Sequence, residues 1–130
     1  MATRESVMTS ERLDEFMEAW NAHDVERIVS YFTDDCVFHA SVGSELMGAT
    51  YAGRGEVRRG VAAFFERYPD GRFEDATSFV AGDKGASEWT FACTGAGGEV
   101  VATRGCDLFE FDGDHIRVKN AFRKALPRDA

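Results

Sequence analysis

The stretch EVVATRGCDLFEFDGDHIRVKNAFRK, residues 99–124, decides the fold. It holds two long runs rich in apolar residues, joined at Asp112-Gly113-Asp114, and an Asp-Gly step between two such runs is typical of a β-hairpin. Successive side chains of a strand alternate between its faces, so Asp107 is predicted to share a face with Phe109 and Phe111. Because a carboxylate is costly to bury without partners, Asp107 is the strongest candidate functional residue.

The composition is that of one globular domain, expected over residues 1–130 with an ordered core at about 6–125. Apolar residues make up 44% of the 130 positions, and 23 acidic against 15 basic residues give a net charge of −8. This charge argues against nucleic acid or an anionic membrane as a partner. No apolar run approaches the ~20 residues of a membrane span. The first residues lack the apolar core of a signal peptide, so a cytoplasmic location is expected.

Upstream of the hairpin the apolar pattern predicts helices first and strands afterwards. Apolar residues recur at helical spacing after the candidate caps Thr9 or Ser10, after Asp24, and from Gly55 to about Arg67. Strands are expected at 36–40, 72–81, 86–94, 99–111 and 115–124, with 33–35 as a turn and 47–52 as a further short strand within a glycine-rich loop. This order predicts an α+β fold, in which three N-terminal helices pack on a strongly curved, mainly antiparallel sheet. The open end of such a cone is a place for a small ligand.

Three stretches resemble the nuclear transport factor 2-like superfamily, and within it the SnoaL-like domains. They are FMEAWNAHDVERIVSYFTDDCVF at 16–38, YAGRGEVRRGVAAFF at 51–65 and RGCDLFEFDGDHI at 104–116. The resemblance implies the cone-shaped cystatin-like fold. Its members include ketosteroid isomerases, polyketide cyclases, epoxide hydrolases, dehydratases and binding modules without catalysis, so the fold alone does not settle the function.

The isomerase pattern carries over only in part. The resemblance puts its oxyanion-binding aspartate on Asp107, its tyrosine on Phe16, which cannot donate a hydrogen bond, and its general-base aspartate at or beside Ala40. Ketosteroid isomerisation itself is therefore not expected. Cyclases of the SnoaL type use an aspartate as acid/base without a metal. The resemblance implies a similar role for Asp107 or His39. Whether His39 or Ala40 faces the cone depends on a one-residue difference in register.

The last strand adds a polar candidate. Unbroken alternation puts Asn120 on one face with Ile116, Val118 and Phe122, where its amide suits a hydrogen bond to a ligand; the other reading is a satisfied core amide. For the aromatic candidates, too, the other interpretation is a place in the plain hydrophobic core. The predicted substrate-binding residues are Phe16, Trp20, Tyr51, Trp89, Phe91, Phe109, Asn120 and Phe122. The resemblance also implies a homodimer through the outer face of the sheet, and Arg104, Lys119 and Arg123 are expected on that face.

The sequence thus predicts a protein that binds a small apolar ligand. If it is an enzyme, Asp107 and His39 are its acid/base residues, and the reaction is a cofactor-free cyclisation, isomerisation or dehydration of an apolar or polyketide-like substrate. The alternative is a non-catalytic ligand-binding or protein-interaction module. The sequence has no Cys-x-x-Cys pair, no His-based metal spacing and no phosphate loop, so neither a metal nor a cofactor is expected.

Overall fold

The computed structural model describes residues 6–125, which form three helices and six strands. The longest helix has 15 residues, and no helix in this range has the length and hydropathy that a bilayer crossing requires. The elements in chain order are α1 (Ser10–Asn21), α2 (Val25–Val29), β1 (Phe32–His39), β2 (Thr50–Ala52), α3 (Gly53–Arg67), β3 (Arg72–Ala81), β4 (Lys84–Thr94), β5 (Val100–Asp112) and β6 (His115–Arg123).

The two predicted helix caps form as expected. The hydroxyl of Thr9 accepts a hydrogen bond from the backbone N–H of Arg12 at 3.1 Å and starts α1. The carboxylate of Asp24 accepts one from the backbone N–H of Arg27 at 3.1 Å and starts α2. Each side chain satisfies a donor that the first helical turn leaves unpaired, which is why these residues set the helix starts.

The six strands form one sheet in the order β2-β1-β6-β5-β4-β3. All neighbours are antiparallel except β1 and β6, which run parallel, so the predicted α+β class with a mainly antiparallel sheet is confirmed. The predicted turn at 33–35 was wrong. Strand β1 begins at Phe32, which pairs with Ile116, and an irregularity between Phe32 and Val37 accommodates the exposed Asp34 and Asp35 within the strand.

A one-residue bulge in β6 decides which of its side chains face the helices. Glu110 pairs with Val118, but Phe111 pairs with Ile116, so β6 contains one extra residue, Arg117. An extra residue shifts the alternation of every position beyond it. The strand therefore buries Ile116 as the alternation predicts, and beyond the bulge it buries Lys119 instead of Asn120.

The sheet wraps around α1, and its concave face carries the core. Phe16 of α1 is fully buried and packs edge-to-face against Phe32 of β1 and Phe109 of β5, with ring centroids 5.8 and 6.1 Å apart. Strand β3 bends at Asp75, whose φ is +54°, where its pairing with β4 is irregular. Bulges of this kind increase local twist and curvature, and here they close the sheet around the helix.

Candidate functional site

A cavity of about 150 Å³ lies between the concave face of the sheet and helices α1 and α3. An apolar cavity of about this size holds a molecule with roughly the volume of benzene. Its walls are mainly apolar and include seven aromatic rings, and its exposed members, Val42, Ala63 and Arg67, mark the mouth. Among the residues that line it are Trp20, Phe38, Ala40, Tyr51, Arg67, Tyr68, Trp89, Lys119 and Arg123.

Lys119 places a buried ammonium group in the cavity wall. Its residue is 4% exposed, and Nζ lies 4.7 Å from the ring centroid of Trp20 and 4.6 Å from that of Phe38. Both distances are those of cation–π contacts. The bulge in β6 turned this side chain inward, so the expectation that Lys119 lies on the outer face was wrong.

Asp107 holds the lysine from the neighbouring strand. Asp107 is 1% exposed and lies on the inner face, next to Phe109, as the alternation of β5 predicts. Its Oδ1 accepts a hydrogen bond from Lys119 Nζ at 2.9 Å, and its Oδ2 accepts one from Trp89 Nε1 at 3.0 Å. Both oxygens act as acceptors, as in an ionised carboxylate. Asp107 is absent from the cavity wall and reaches it through Lys119 and Trp89.

His39 faces away from the cavity. Strand β1 presents Phe38 and Ala40 to the cavity, and His39 lies between them on the opposite face, where its Nδ1 is 2.8 Å from Thr50 Oγ1. Phe38 pairs with Tyr51 of β2, and both rings line the cavity, stacked with centroids 5.8 Å apart. The expectation that His39 serves as a base inside the cone was therefore wrong, because the register places Ala40 there.

Asn120 and Phe122 lie on the outer face, beyond the bulge. They pair with Leu108 and Cys106, and together with Arg104 they line a groove of about 530 Å³ between the sheet and the loop at 40–48. The prediction that Asn120 and Phe122 face the cone was wrong, because the bulge in β6 that turns Lys119 inward turns these two side chains outward. Arg104 is outside, as expected.

The six predicted aromatic residues other than Phe122 divide into two groups. Trp20, Tyr51 and Trp89 line the cavity. The other three predicted substrate contacts lie in the surrounding core and not on the cavity wall, so the structure does not bring them to a ligand there; these are Phe16, Phe91 and Phe109.

Two arginines meet at one phenol oxygen near the mouth. Tyr68 Oη accepts a hydrogen bond from Arg67 Nε at 3.1 Å and another from Arg123 Nη2 at 3.2 Å. Burial acts to raise the pKa of Tyr68, but the hydrogen bonds from Arg123 and Arg67, together with their charges, outweigh it and lower the pKa below its usual 10.0. The sequence analysis missed this group, because the third helix was expected to end at about Arg67 and Arg123 was expected on the outer face of the sheet.

One buried donor in the cavity wall has no acceptor. Trp20 is 2% exposed, and its Nε1 is the single buried side-chain nitrogen or oxygen atom without a hydrogen-bond partner in the described chain. An unmade hydrogen bond of this kind costs about 1–3 kcal/mol. Within residues 6–125 there is no group of three or more His, Cys, Asp or Glu side chains that could hold a metal ion.

Comparison with known proteins connects this geometry to a family. The model of the SnoaL-like domain matches residues 13–118. An NTF2-like protein of unknown function from Mesorhizobium loti has 24% identity and a TM-score of 0.71, covering 95% of this chain and 100% of that one. A candidate polyketide cyclase from Xanthomonas campestris has 17% identity and a TM-score of 0.68, covering 86% and 87%. TerC, co-crystallised with polyporic acid, has 15% identity and a TM-score of 0.73, covering 88% and 89%. No curated protein matches the sequence.

Proposed function

The chain belongs to the SnoaL-like domain family and has its NTF2-like, cystatin-like fold, and from this premise we propose that its cavity binds a small, planar, mainly apolar molecule that carries an oxygen atom. The size of the cavity and its aromatic walls suit one ring. TerC, which was co-crystallised with polyporic acid, and the candidate polyketide cyclase among the similar structures support a small organic ligand in this fold.

The buried ammonium of Lys119 is the observation that carries the proposal. Among the described residues, Nζ has one hydrogen-bond acceptor, Asp107, although an ammonium group has three donors. The rings of Trp20 and Phe38 contact it but offer no lone pair. A carbonyl or hydroxyl oxygen of a ligand in the cavity would supply the missing acceptor.

The same arrangement supports cofactor-free enolisation with water as the acceptor of the α-proton, because no carboxylate or imidazole of the described chain lines the cavity. Cyclisation, isomerisation and dehydration of a carbonyl compound all pass through a state in which negative charge develops on the carbonyl oxygen. A fixed ammonium in a site of low polarity stabilises that charge without reorganising. Lys119 is therefore the proposed catalytic residue in place of His39. Asp107 becomes a positioning residue, which keeps the ammonium in place and is itself fixed by Trp89.

A specific observation favours the non-catalytic alternative. In the isomerase-like site two functional positions hold Phe16 and Ala40, neither of which can exchange a proton. A binding module needs only the cavity and Lys119. The two candidate functions share the binding step and differ in whether the bound carbonyl compound reacts.

Intrinsic fluorescence tests the binding step, because both tryptophans of the chain, Trp20 and Trp89, line the cavity. Titration with phenol is expected to change the emission saturably and with higher affinity than titration with toluene. The double variant Asp107→Asn/Lys119→Met removes both charges of the pair and is expected to lose the preference for phenol over toluene. Lys84→Met, at the exposed start of β4, is the matched control. Absence of saturable phenol binding to the native chain would refute the proposal.

Hydrogen–deuterium exchange separates the two candidate functions. A site that stabilises an enolate accelerates exchange of the α-protons of cyclohexanone in D2O, which NMR follows directly. Acceleration by the native chain, lost in Asp107→Asn/Lys119→Met and kept in Lys84→Met, supports catalysis. Saturable binding without acceleration supports the binding module.

The expected partner is a second copy of this chain on the outer face of the sheet. Leu108 and Phe122 are 48% and 49% exposed there, and the loop over the groove presents Leu46 at 99% exposure. Covering such an apolar surface is the usual basis of a homodimer. Light scattering should give a dimer for the native chain and a monomer for Phe122→Glu, while Val7→Glu, which is exposed and outside the sheet, stays dimeric. A monomeric native chain would contradict this proposal.

A further inference from the structure

Two arginines at the cavity mouth have no carboxylate partner within residues 6–125. Most other arginines of the described chain pair with a carboxylate: Arg58 Nε, for example, lies 2.7 Å from Glu26 Oε2, and Arg117 contacts Glu110. Arg12 and Arg27 donate to backbone carbonyl oxygens. Arg67 and Arg123 instead donate to the same neutral oxygen of Tyr68. In a chain of net charge −8, two guanidinium groups that converge without an acidic side chain form an electropositive point.

The hydrogen-bond capacity of this cluster is only partly used. The phenol oxygen of Tyr68 accepts from both arginines, and its own O–H has no acceptor in the described part of the chain. Each guanidinium has five N–H donors, and Arg67 and Arg123 each use one of them on the phenol. The donors that remain match a carboxylate, whose two oxygens accept several hydrogen bonds at once.

Packing holds one of the arginines in place. The guanidinium carbon of Arg123 lies 4.8 Å from the ring centroid of Phe91 and 5.5 Å from that of Tyr68. The inward orientation of Arg123 follows from the bulge in β6, because Arg123 pairs with Gly105 on the inner face of the sheet. The cluster is therefore built into the sheet and does not depend on a solvated surface side chain alone.

The cluster shares a cavity with apolar walls and with the unpartnered indole of Trp20. Arg67, Tyr68 and Arg123 line the same cavity as Trp20 and Lys119. A free inorganic anion would satisfy the cluster but leave the aromatic walls and the indole N–H without contacts. A ring that carries a carboxylate supplies acceptors to the arginines and apolar contacts to the aromatic walls at once.

We infer that Arg67, Tyr68 and Arg123 form a carboxylate-binding site at the mouth, so that the ligand is a small aromatic or alicyclic carboxylate with its ring in the cavity. The inference rests on the proposed ligand-binding role of the cavity and names the chemical class of the ligand. The lowered pKa of Tyr68 reflects the same positive field that would attract the carboxylate.

Matched ligands test the inference, because phenylacetate and phenylacetamide differ in charge but hardly in shape. Calorimetric titration of the native chain at pH 7 is expected to show phenylacetate binding at least tenfold more tightly, with the difference shrinking as salt is added. In Arg67→Met/Arg123→Met the two ligands should bind equally. Arg59→Met, which removes an exposed arginine on the same helix, α3, should keep the tenfold preference.

The outcomes distinguish this inference from the function it rests on. Equal binding of both ligands to the native chain would overturn the carboxylate site and leave the ligand-binding cavity intact. If neither phenylacetate nor phenylacetamide binds and phenol also fails to bind, both the carboxylate site and the proposed ligand-binding cavity are overturned. Because Arg123 packs in the structure, Arg67→Met alone serves as a second variant; Arg67 is exposed, and its loss should reduce the preference for phenylacetate without unfolding the chain.

Discussion

Two ion pairs on opposite faces of the sheet have nearly the same chemistry and different environments. Inside, Lys119 of β6 meets Asp107 of β5 at 2.9 Å, and their side chains are 5% and 2% exposed. Outside, Arg104 of β5 meets Glu88 of β4 at 3.2 Å, and their side chains are 43% and 59% exposed. Each pair joins neighbouring strands diagonally. The comparison shows that burial, and not the pairing itself, makes one pair a candidate site and the other a surface contact.

The largest effect is expected from Lys119→Met. The change leaves the Asp107 carboxylate buried without its cation, and breaking a buried pair from one side costs about 3–5 kcal/mol of unfolding free energy. Urea unfolding followed by circular dichroism measures it. In Asp107→Asn/Lys119→Met no charge is left uncompensated, so the double variant should be more stable than the single one. A single variant that loses less than about 1 kcal/mol would mean that the inner pair behaves like the outer one.

A smaller effect is expected from Gly105→Ala, which tests how tightly the inner face is packed. A Cβ at Gly105 would lie 2.4 Å from the carbonyl oxygen of Phe122 and 2.5 Å from the ring of Trp89. Overpacking of this kind typically costs about 1–3 kcal/mol. Gly55→Ala in α3 is the control, since a Cβ there meets nothing within 4 Å, and it should be neutral or slightly stabilising. Equal unfolding free energies for the two variants would show that the inner face can relax.

Arg104→Met, which breaks the outer pair, should change the unfolding free energy by less than about 1 kcal/mol, because water screens exposed pairs. The same urea unfolding measures it, at low salt and at 1 M salt. Any difference from the native chain should vanish at high salt. A loss as large as that of Lys119→Met would remove the distinction between the two faces.

The smallest effect concerns Tyr68, whose pKa is lowered by Arg123 and Arg67 despite its partial burial. A group with a lowered pKa in the folded state adds stability above its unfolded pKa, and this contribution is lost as the pH falls through the folded pKa. The native chain should therefore gain stability over Tyr68→Phe as the pH rises towards 10. Absorbance at 295 nm should show a tyrosine ionisation below the usual range that Tyr68→Phe lacks. If Tyr68→Phe titrates like the native chain, the hydrogen bonds from Arg67 and Arg123 do not lower the pKa of Tyr68, and the arrangement around its phenol is contradicted.

The sequence predicted those parts of the fold that depend on local chemistry. The caps Thr9 and Asp24 and the helical spacing behind them set α1 and α2, and the Asp-Gly turn set the hairpin. Alternation along β5 placed Asp107 on the inner face because β5 carries no extra residue there. The start of β1 was missed because the polar residues 33–35 have the composition of a turn, although the pairs of Phe32 and Val37 with β6 on either side of them keep them within the strand.

Most of the site could not be predicted, because it depends on pairing between distant segments. Nothing in the local sequence marks Arg117 as an extra residue; the bulge appears only when β6 is paired with β5. The sequence analysis therefore assigned Lys119 and Arg123 to the outer face of the sheet and Asn120 to the inner face, the reverse of their positions in the structure. The face on which the side chain of His39 lies depended in the same way on the pairing of β1 with β2. The cluster at Tyr68 joins the end of α3 to the end of β6, which no local pattern could connect.

The bulge at Arg117 also bears on how relatives of this chain should be aligned. A relative whose last strand lacks the extra residue needs a one-residue gap opposite Arg117. With that gap, position 119 is compared with a residue that faces the cavity. Without it, position 119 is compared with a residue that faces outward, and a lysine shared by two relatives would look like a substitution. Sequence profiles for this strand should therefore be anchored on strand pairing before any pocket residue is transferred between relatives.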